Sequence, residues 1–169
     1  LLHDQNKNFK IFAIIFSIYC ALILGISWDE NYYKILGEKN LSYLLSFGII
    51  ESEYFSKFRY STIYWSFSSL IGQIIPEKFS DQFYHLLNTF FGLLVIVGVY
   101  KIAKLLFNKS IGIICSFFLF FLPTFFGHLA INNKDTILAL SHVWIFYYLI
   151  KYNSQNYSNL TKLKIIGKI

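Results

Sequence analysis

Residues 83–107 read FYHLLNTFFGLLVIVGVYKIAKLLF, an apolar run with Lys101 and Lys104 near its end. At 1.5 Å per helical residue, such a run crosses about 30 Å of hydrocarbon. Lysines at that depth extend to the headgroups. Three further runs flank it: Phe9 to Trp28, Ser110 to Ile131 with Pro123 in its outer half, and the shorter Thr136 to Tyr152. The first is too long and bulky for a signal-peptide core, and no small-residue cleavage site follows it. The expected fold class is therefore an all-α polytopic membrane protein with about four transmembrane helices, spanning roughly residues 9–28, 83–107, 110–131 and 136–152.

Composition agrees. Of 169 residues, 56% are hydrophobic, 21% aromatic and 14% charged, against roughly 25% charged in a soluble domain. The net charge of +6 lies at the ends of apolar runs and forms no single basic stripe, which argues for a topology signal and against nucleic acid. With the N-terminus cytoplasmic, nine of the fifteen lysines and arginines fall inside, and the acidic residues other than Asp4 fall outside. That split favours this orientation. Cys20 and Cys115 sit within apolar runs and read as small packing residues; no metal-type Cys/His spacing exists.

Residues 29–82 then form a long non-cytoplasmic loop. Tyr33, Leu36, Leu44 and Phe47, with Leu41 and Leu45 beside them, follow helical spacing and predict an interfacial amphipathic helix stopped at Gly48. Ser61 to Ile75, rich in Tyr, Trp, Phe and Ile and ended by Pro76, predicts a second. Residues 153–169 read as a cytoplasmic loop leading towards a further span. A chain that starts with Leu and contains no Met is expected to be part of a longer one.

Three polar groups suggest chemistry. Asp29-Glu30 follows the first span; adjacent carboxylates there need water, a cation or a substrate. Either can act as a general base or as an oxygen ligand for a divalent cation. The plain alternative is a solvated helix end. Asn132-Asn133-Lys134-Asp135, preceded by His128, forms the outer loop between the third and fourth spans. Lys134 suits a phosphate, while a polar turn with Asp135 capping the fourth helix is the plain alternative. His85 and Asn88 share a helix face, where a packed polar pair is the plainer reading. All three groups map to one membrane face, the depth at which a lipid-linked donor presents its phosphate and sugar.

At these residues the chain resembles the GT-C glycosyltransferases of the protein-mannosyltransferase and aminoarabinose-transferase type. The resemblance rests on Trp28-Asp29-Glu30 after the first span, on His85-Leu86-Leu87-Asn88-Thr89-Phe90-Phe91-Gly92 opening the second, and on Pro123-Thr124-Phe125-Phe126-Gly127-His128 followed by Asn132-Asn133-Lys134-Asp135. This last run is similar to the pattern of a bacterial branch and is the most specific of the three. The resemblance implies that residues 1–152 are the N-terminal transmembrane part of such an enzyme, in a bacterial inner membrane. It implies a polyprenyl-phosphate-linked sugar as donor, a lipid, glycan or protein as acceptor, and inverting transfer. Asp29 would be the base with Glu30 beside it, Asp135 a support for the acceptor or a cation, and Lys134 the donor-phosphate ligand. His128, His85, Asn88, Arg59 and Tyr60 are further substrate-binding candidates. Either no metal or a divalent Mg, Mn or Zn, held by Asp29 and Asp135, is compatible with the family. A ligase or polymerase acting on lipid-linked oligosaccharides would look alike.

The rival class is a transporter subunit or scaffold. A transporter places ionisable groups near the bilayer midplane, and the middles of these spans read as free of them. The sequons at Asn40, Asn108, Asn156 and Asn159 are short enough to arise by chance.

Overall fold

The computed structural model describes residues 2–49 and 63–154, and every regular element among them is helical. The order is α1 (Leu2–Ile23), α2 (Glu30–Leu45), α3 (Ile63–Gly72), a 3-10 turn (Glu77–Phe79), α4 (Ser80–Leu106), α5 (Lys109–Phe121), α6 (Pro123–His128) and α7 (Asn133–Ser154). The chain divides into two units, one of Leu1–Cys20 with Asn88–Ile169 and one of Ala21–Leu87.

Glu77–Leu106 is the one run among the described residues long and apolar enough to cross a membrane. The four expected spans are thus not reproduced as four such helices, and each departure has a local cause. The first expected span stops being helical at Ile23, and residues 24–27 around Gly25 carry no regular structure. The third is broken: Leu122 is extended (φ −69°, ψ 114°) because Pro123 follows it, so α5 ends and α6 begins with the proline at its N-terminus. In α7, His142 lies mid-helix, contrary to the reading that span middles hold no ionisable group. Its Nδ1 donates to the Leu138 carbonyl one turn back at 2.8 Å, which ties the exposed ring to its own helix.

In the first unit, Ala13, Ile96, Phe120 and Leu129 form a core with Phe9, Leu93, Phe125 and Phe126 packed against it. Edge-on rings such as Phe9–Phe120 (5.9 Å) and Phe120–Phe126 (5.1 Å) set the spacing. Lys10 over the Tyr100 ring, with Ala13 and Ile96 in the shared core, sets α1 against α4. Trp144 Nε1 donating to the Leu94 carbonyl, with Lys101 over the Trp144 and Tyr147 rings, runs α4 parallel to α7. Two small residues permit close approach. A Cβ on Gly92 would lie 2.8 Å from Leu129 Cγ, and one on Gly98 would collide with Val143. Much of α1 faces outward: Ile15, Tyr19 and Ile23 are each more than half exposed.

The second unit packs α2 on α3 through its polar side. Asn40 Nδ2 donates to Ser66 Oγ, and Ser66, Ser68 and Ser69 are buried while Ile63, Phe67, Leu70 and Ile74 face out. Tyr33 stacks on Trp65 at 5.0 Å, with Leu36 and Tyr84 completing a small core. Burial pushes the Tyr64 hydroxyl above its ordinary range and keeps it protonated. Of the α2 residues expected on one apolar face, Tyr33, Leu36 and Leu41 are buried, but Leu44, Leu45 and Phe47 are exposed. The buried face instead runs through Gly37 and Asn40, because these let α3 come close. The helix ends one residue earlier than Gly48 suggested. Gly48 N–H donates to Tyr43 C=O (3.0 Å) and Phe47 N–H to Leu44 C=O (3.2 Å), a Schellman pattern in which Phe47 (φ 53°) takes the left-handed position.

Gly37 is the contact that fixes α2 on α3. A Cβ there would stand 2.6 Å from Ser69 Oγ and 2.7 Å from the Trp65 carbonyl oxygen, which is backbone and cannot rotate away. Gly37→Ala is expected to cost about 1–3 kcal/mol by overpacking, read as a lower midpoint of thermal unfolding in detergent. Adding Ser69→Ala should not restore it, because the clash with the carbonyl remains; an unchanged midpoint for Gly37→Ala would show that the helices do not touch there.

Candidate functional site

In the second unit, the expected candidates Asp29, Glu30 and His85 are brought together. Ala21 lies in the last turn of α1, where carbonyls lack intrahelical partners. Its C=O accepts from His85 Nδ1 at 3.2 Å. With Nδ1 donating, Nε2 shares a proton with Glu30 Oε1 at 2.9 Å. The other Glu30 oxygen, Oε2, accepts from the Ser27 backbone N–H at 2.6 Å. Ser27 and Glu30 are three apart, so the bond closes the turn that leads into α2, ahead of the Asp29 N-cap. Glu30 is therefore buried with both oxygens engaged. Asp29, at the helix N-cap (φ −101°, ψ −8°), makes no side-chain cap bond. It is half-buried, and its Oδ1 accepts from Ser27 Oγ at 3.1 Å. The two neighbouring carboxylates thus have different environments: one locked inside, the other at the boundary, both at a helix N-terminus that favours negative charge.

The same unit carries an ion pair between Lys34 and Asp81, with the ammonium 4.9 Å from the Tyr84 ring centroid. It ties α2 to the first turn of α4.

In the first unit, Asn88 does not pair with His85. Its Nδ2 donates to the Leu129 carbonyl at 3.0 Å, and Gly92, one turn further along α4, receives the Leu129 side chain. The H-x-x-N spacing therefore serves two separate tasks. The 132–135 turn is a reciprocal cap. Asn132 Oδ1 accepts from Asp135 N–H (3.2 Å), and Asn132 Nδ2 donates to Asp135 Oδ2 (2.7 Å) and reaches His128 Nδ1 (3.4 Å). Asn132 is thus the cap of α7 and Asp135 its partner, the reverse of the expected capping role for Asp135. Lys134, Asp135 and His128 are exposed, and Asn133 is buried. Asn132→Ala is expected to lower stability by about 1 kcal/mol and to speed hydrogen exchange at the amides of Asn133 to Thr136. Equal exchange in both proteins would remove Asn132 from the cap.

Arg59 and Tyr60 lie outside the described residues. Among the described residues, no three His, Cys, Asp or Glu side chains gather as a metal cage. Glu30 already spends both oxygens on hydrogen bonds.

Two contributors escaped the sequence reading: Ser27 and the Ala21 carbonyl. The spacing Ser27-Trp28-Asp29-Glu30 carried a signal for the first, a serine three residues before a glutamate. No local signal marks the second.

A protein-family model described as dolichyl-phosphate-mannose-protein mannosyltransferase matches residues 63–165. The match includes His85, Asn88, Gly92 and the Pro123–Asp135 region, and begins after Asp29-Glu30. No curated protein and no solved structure matches the chain. Members of the matched family are membrane proteins, in keeping with the apolar Glu77–Leu106 run and the outward-facing side chains of α1. Since the family match takes in more than half of the 169 residues, the chain belongs to the dolichyl-phosphate-mannose-protein mannosyltransferase family, within the GT-C superfamily of glycosyltransferases.

Proposed function

We propose that this chain carries the catalytic base of a multi-pass membrane glycosyltransferase that moves a sugar from a polyprenyl-phosphate donor to an acceptor hydroxyl on the non-cytoplasmic face. The acceptor oxygen attacks the anomeric carbon. The bond from that carbon to the phosphate oxygen breaks, polyprenyl phosphate leaves, and Asp29 takes the hydroxyl proton. Attack opposite the leaving group inverts the configuration. The observation that carries the reading is the division of labour in the Asp29-Glu30 pair. Glu30 is sealed and doubly bonded, whereas Asp29 is half-buried at the helix start with one oxygen steered by Ser27.

Lys134 and Asp135 are proposed as ligands of the donor phosphate and the acceptor, on the family resemblance and on their exposure in the first turn of α7. The N-terminus is proposed to be cytoplasmic. Lys10 lies over the Tyr100 ring, Lys101 over those of Trp144 and Tyr147, and Lys151 over that of Tyr147, as basic and aromatic side chains do at a cytoplasmic membrane boundary.

The test uses membranes containing the full-length protein and a radiolabelled polyprenyl-phosphate mannose. The expected result is labelled acceptor together with released polyprenyl phosphate. Transfer directly from a nucleotide sugar, with no lipid-linked donor consumed, would overturn the reading.

A further inference from the structure

We propose that Ser27 is a positioning residue for Asp29, its hydroxyl fixing the carboxylate in the orientation that receives the acceptor proton. The inference rests on the reading of Asp29 as the base. Asp χ2 is a broad, roughly two-fold torsion, so an aspartate at a helix start does not hold one lone pair towards a reactant unaided. Here Ser27 Oγ donates to Oδ1 at 3.1 Å and selects one orientation. That bond orients Asp29 only if Ser27 is itself stationary. The serine sits in the stretch between α1 and α2 that has no regular structure, and two bonds anchor its backbone. Its N–H donates to Glu30 Oε2 (2.6 Å), and its C=O accepts from Glu30 N–H (3.2 Å). Glu30 is in turn held by His85, which is held by the Ala21 carbonyl. A chain of bonds therefore runs from the end of α1 through α4 to the start of α2, and ends on the Asp29 carboxylate. His85 and Glu30 act through Ser27; they are not catalytic residues themselves.

The anchoring bonds use the Ser27 backbone and the orienting bond uses its hydroxyl, so the two roles separate by mutation. Ser27→Ala keeps the anchor and removes only the orienting bond. Misplacement of a reacting group by about 1 Å costs up to about 10²-fold, so a loosened carboxylate is expected to lower kcat by about tenfold. KM for the polyprenyl-phosphate sugar and the thermal midpoint should stay as in the parent. Ser27→Thr, which restores a hydroxyl on the same Cβ, should recover at least half of the lost kcat. The assay uses the full-length protein in membranes, with Asp29→Asn alongside. Unchanged kcat in Ser27→Ala with Asp29→Asn inactive would overturn the positioning role and leave the base assignment standing. A fall in kcat accompanied by a lower thermal midpoint, or without rescue by threonine, would make Ser27 structural and also overturn it. Full activity of Asp29→Asn would remove the base reading, and this inference with it.

Discussion

Asp29→Asn is expected to lower kcat for sugar transfer by about 10²–10⁴-fold, the range contributed by a positioned general base. The amide is close in size to the carboxylate and still accepts from Ser27 Oγ at the position of Oδ1. It cannot take a proton from an attacking hydroxyl. Expression and thermal midpoint are expected to match the parent, because Asp29 is half-buried and its side chain does not cap α2. KM for the donor should change little, since the loss falls in the transition state and not in ground-state binding. Asp29→Glu is the informative companion. It keeps the charge, lengthens the side chain by one methylene and is expected to retain only part of the activity. Transfer at the parent rate by Asp29→Asn would exclude Asp29 as the base.

His85→Leu is expected to have the largest effect on stability. The Glu30–His85 pair is nearly sealed, with side-chain exposures of 9% and 1%. The value of 0–1 kcal/mol usual for exposed pairs therefore does not apply. Removing the imidazole leaves the Glu30 carboxylate buried without its main partner and the Ala21 carbonyl without its donor, and breaking a buried pair in this way costs about 3–5 kcal/mol. The cost should be smaller in the double variant Glu30→Gln/His85→Leu, because an amide carries no charge to bury and keeps an acceptor for the Ser27 N–H. Thermal unfolding of the two single variants and the double variant in detergent gives the coupling by a double-mutant cycle. If the single variants add without coupling, the pair is not an interacting unit. Activity should fall in step, because the loop that carries Ser27 and Asp29 loses its anchor.

The contrast between these two variants follows from burial. Asp29 and Glu30 are adjacent, of one chemical type, and indistinguishable by spacing. Asp29→Asn is expected to change rate at constant stability, whereas loss of the Glu30 partner is expected to change stability first. The environment assigns the roles: Glu30 points back to the Ser27 N–H and across to His85, and Asp29 stays at the boundary.

Local stretches of sequence already carried the helical character of the described residues, the apolar 83–107 run, the end of α2 near Gly48 and the polar turn at Asn132, whereas the break at Pro123 emerged only in the fold. They also carried the family, through three motifs of which the His85–Gly92 and Pro123–Asp135 runs lie within the matched region. Each of these is written in a stretch of a few residues or one helix length, where hydrophobic runs and capping chemistry act directly. Packing between helices settles that His85 meets Glu30, 55 residues away, that Asn88 serves the Leu129 carbonyl, and that α3 buries its serines and turns Phe67 and Leu70 outward. These outcomes depend on which helix faces come close. That is set by small residues such as Gly37 against Trp65 and Gly92 against Leu129, where the absence of a side chain on one helix takes its meaning from what stands opposite on another.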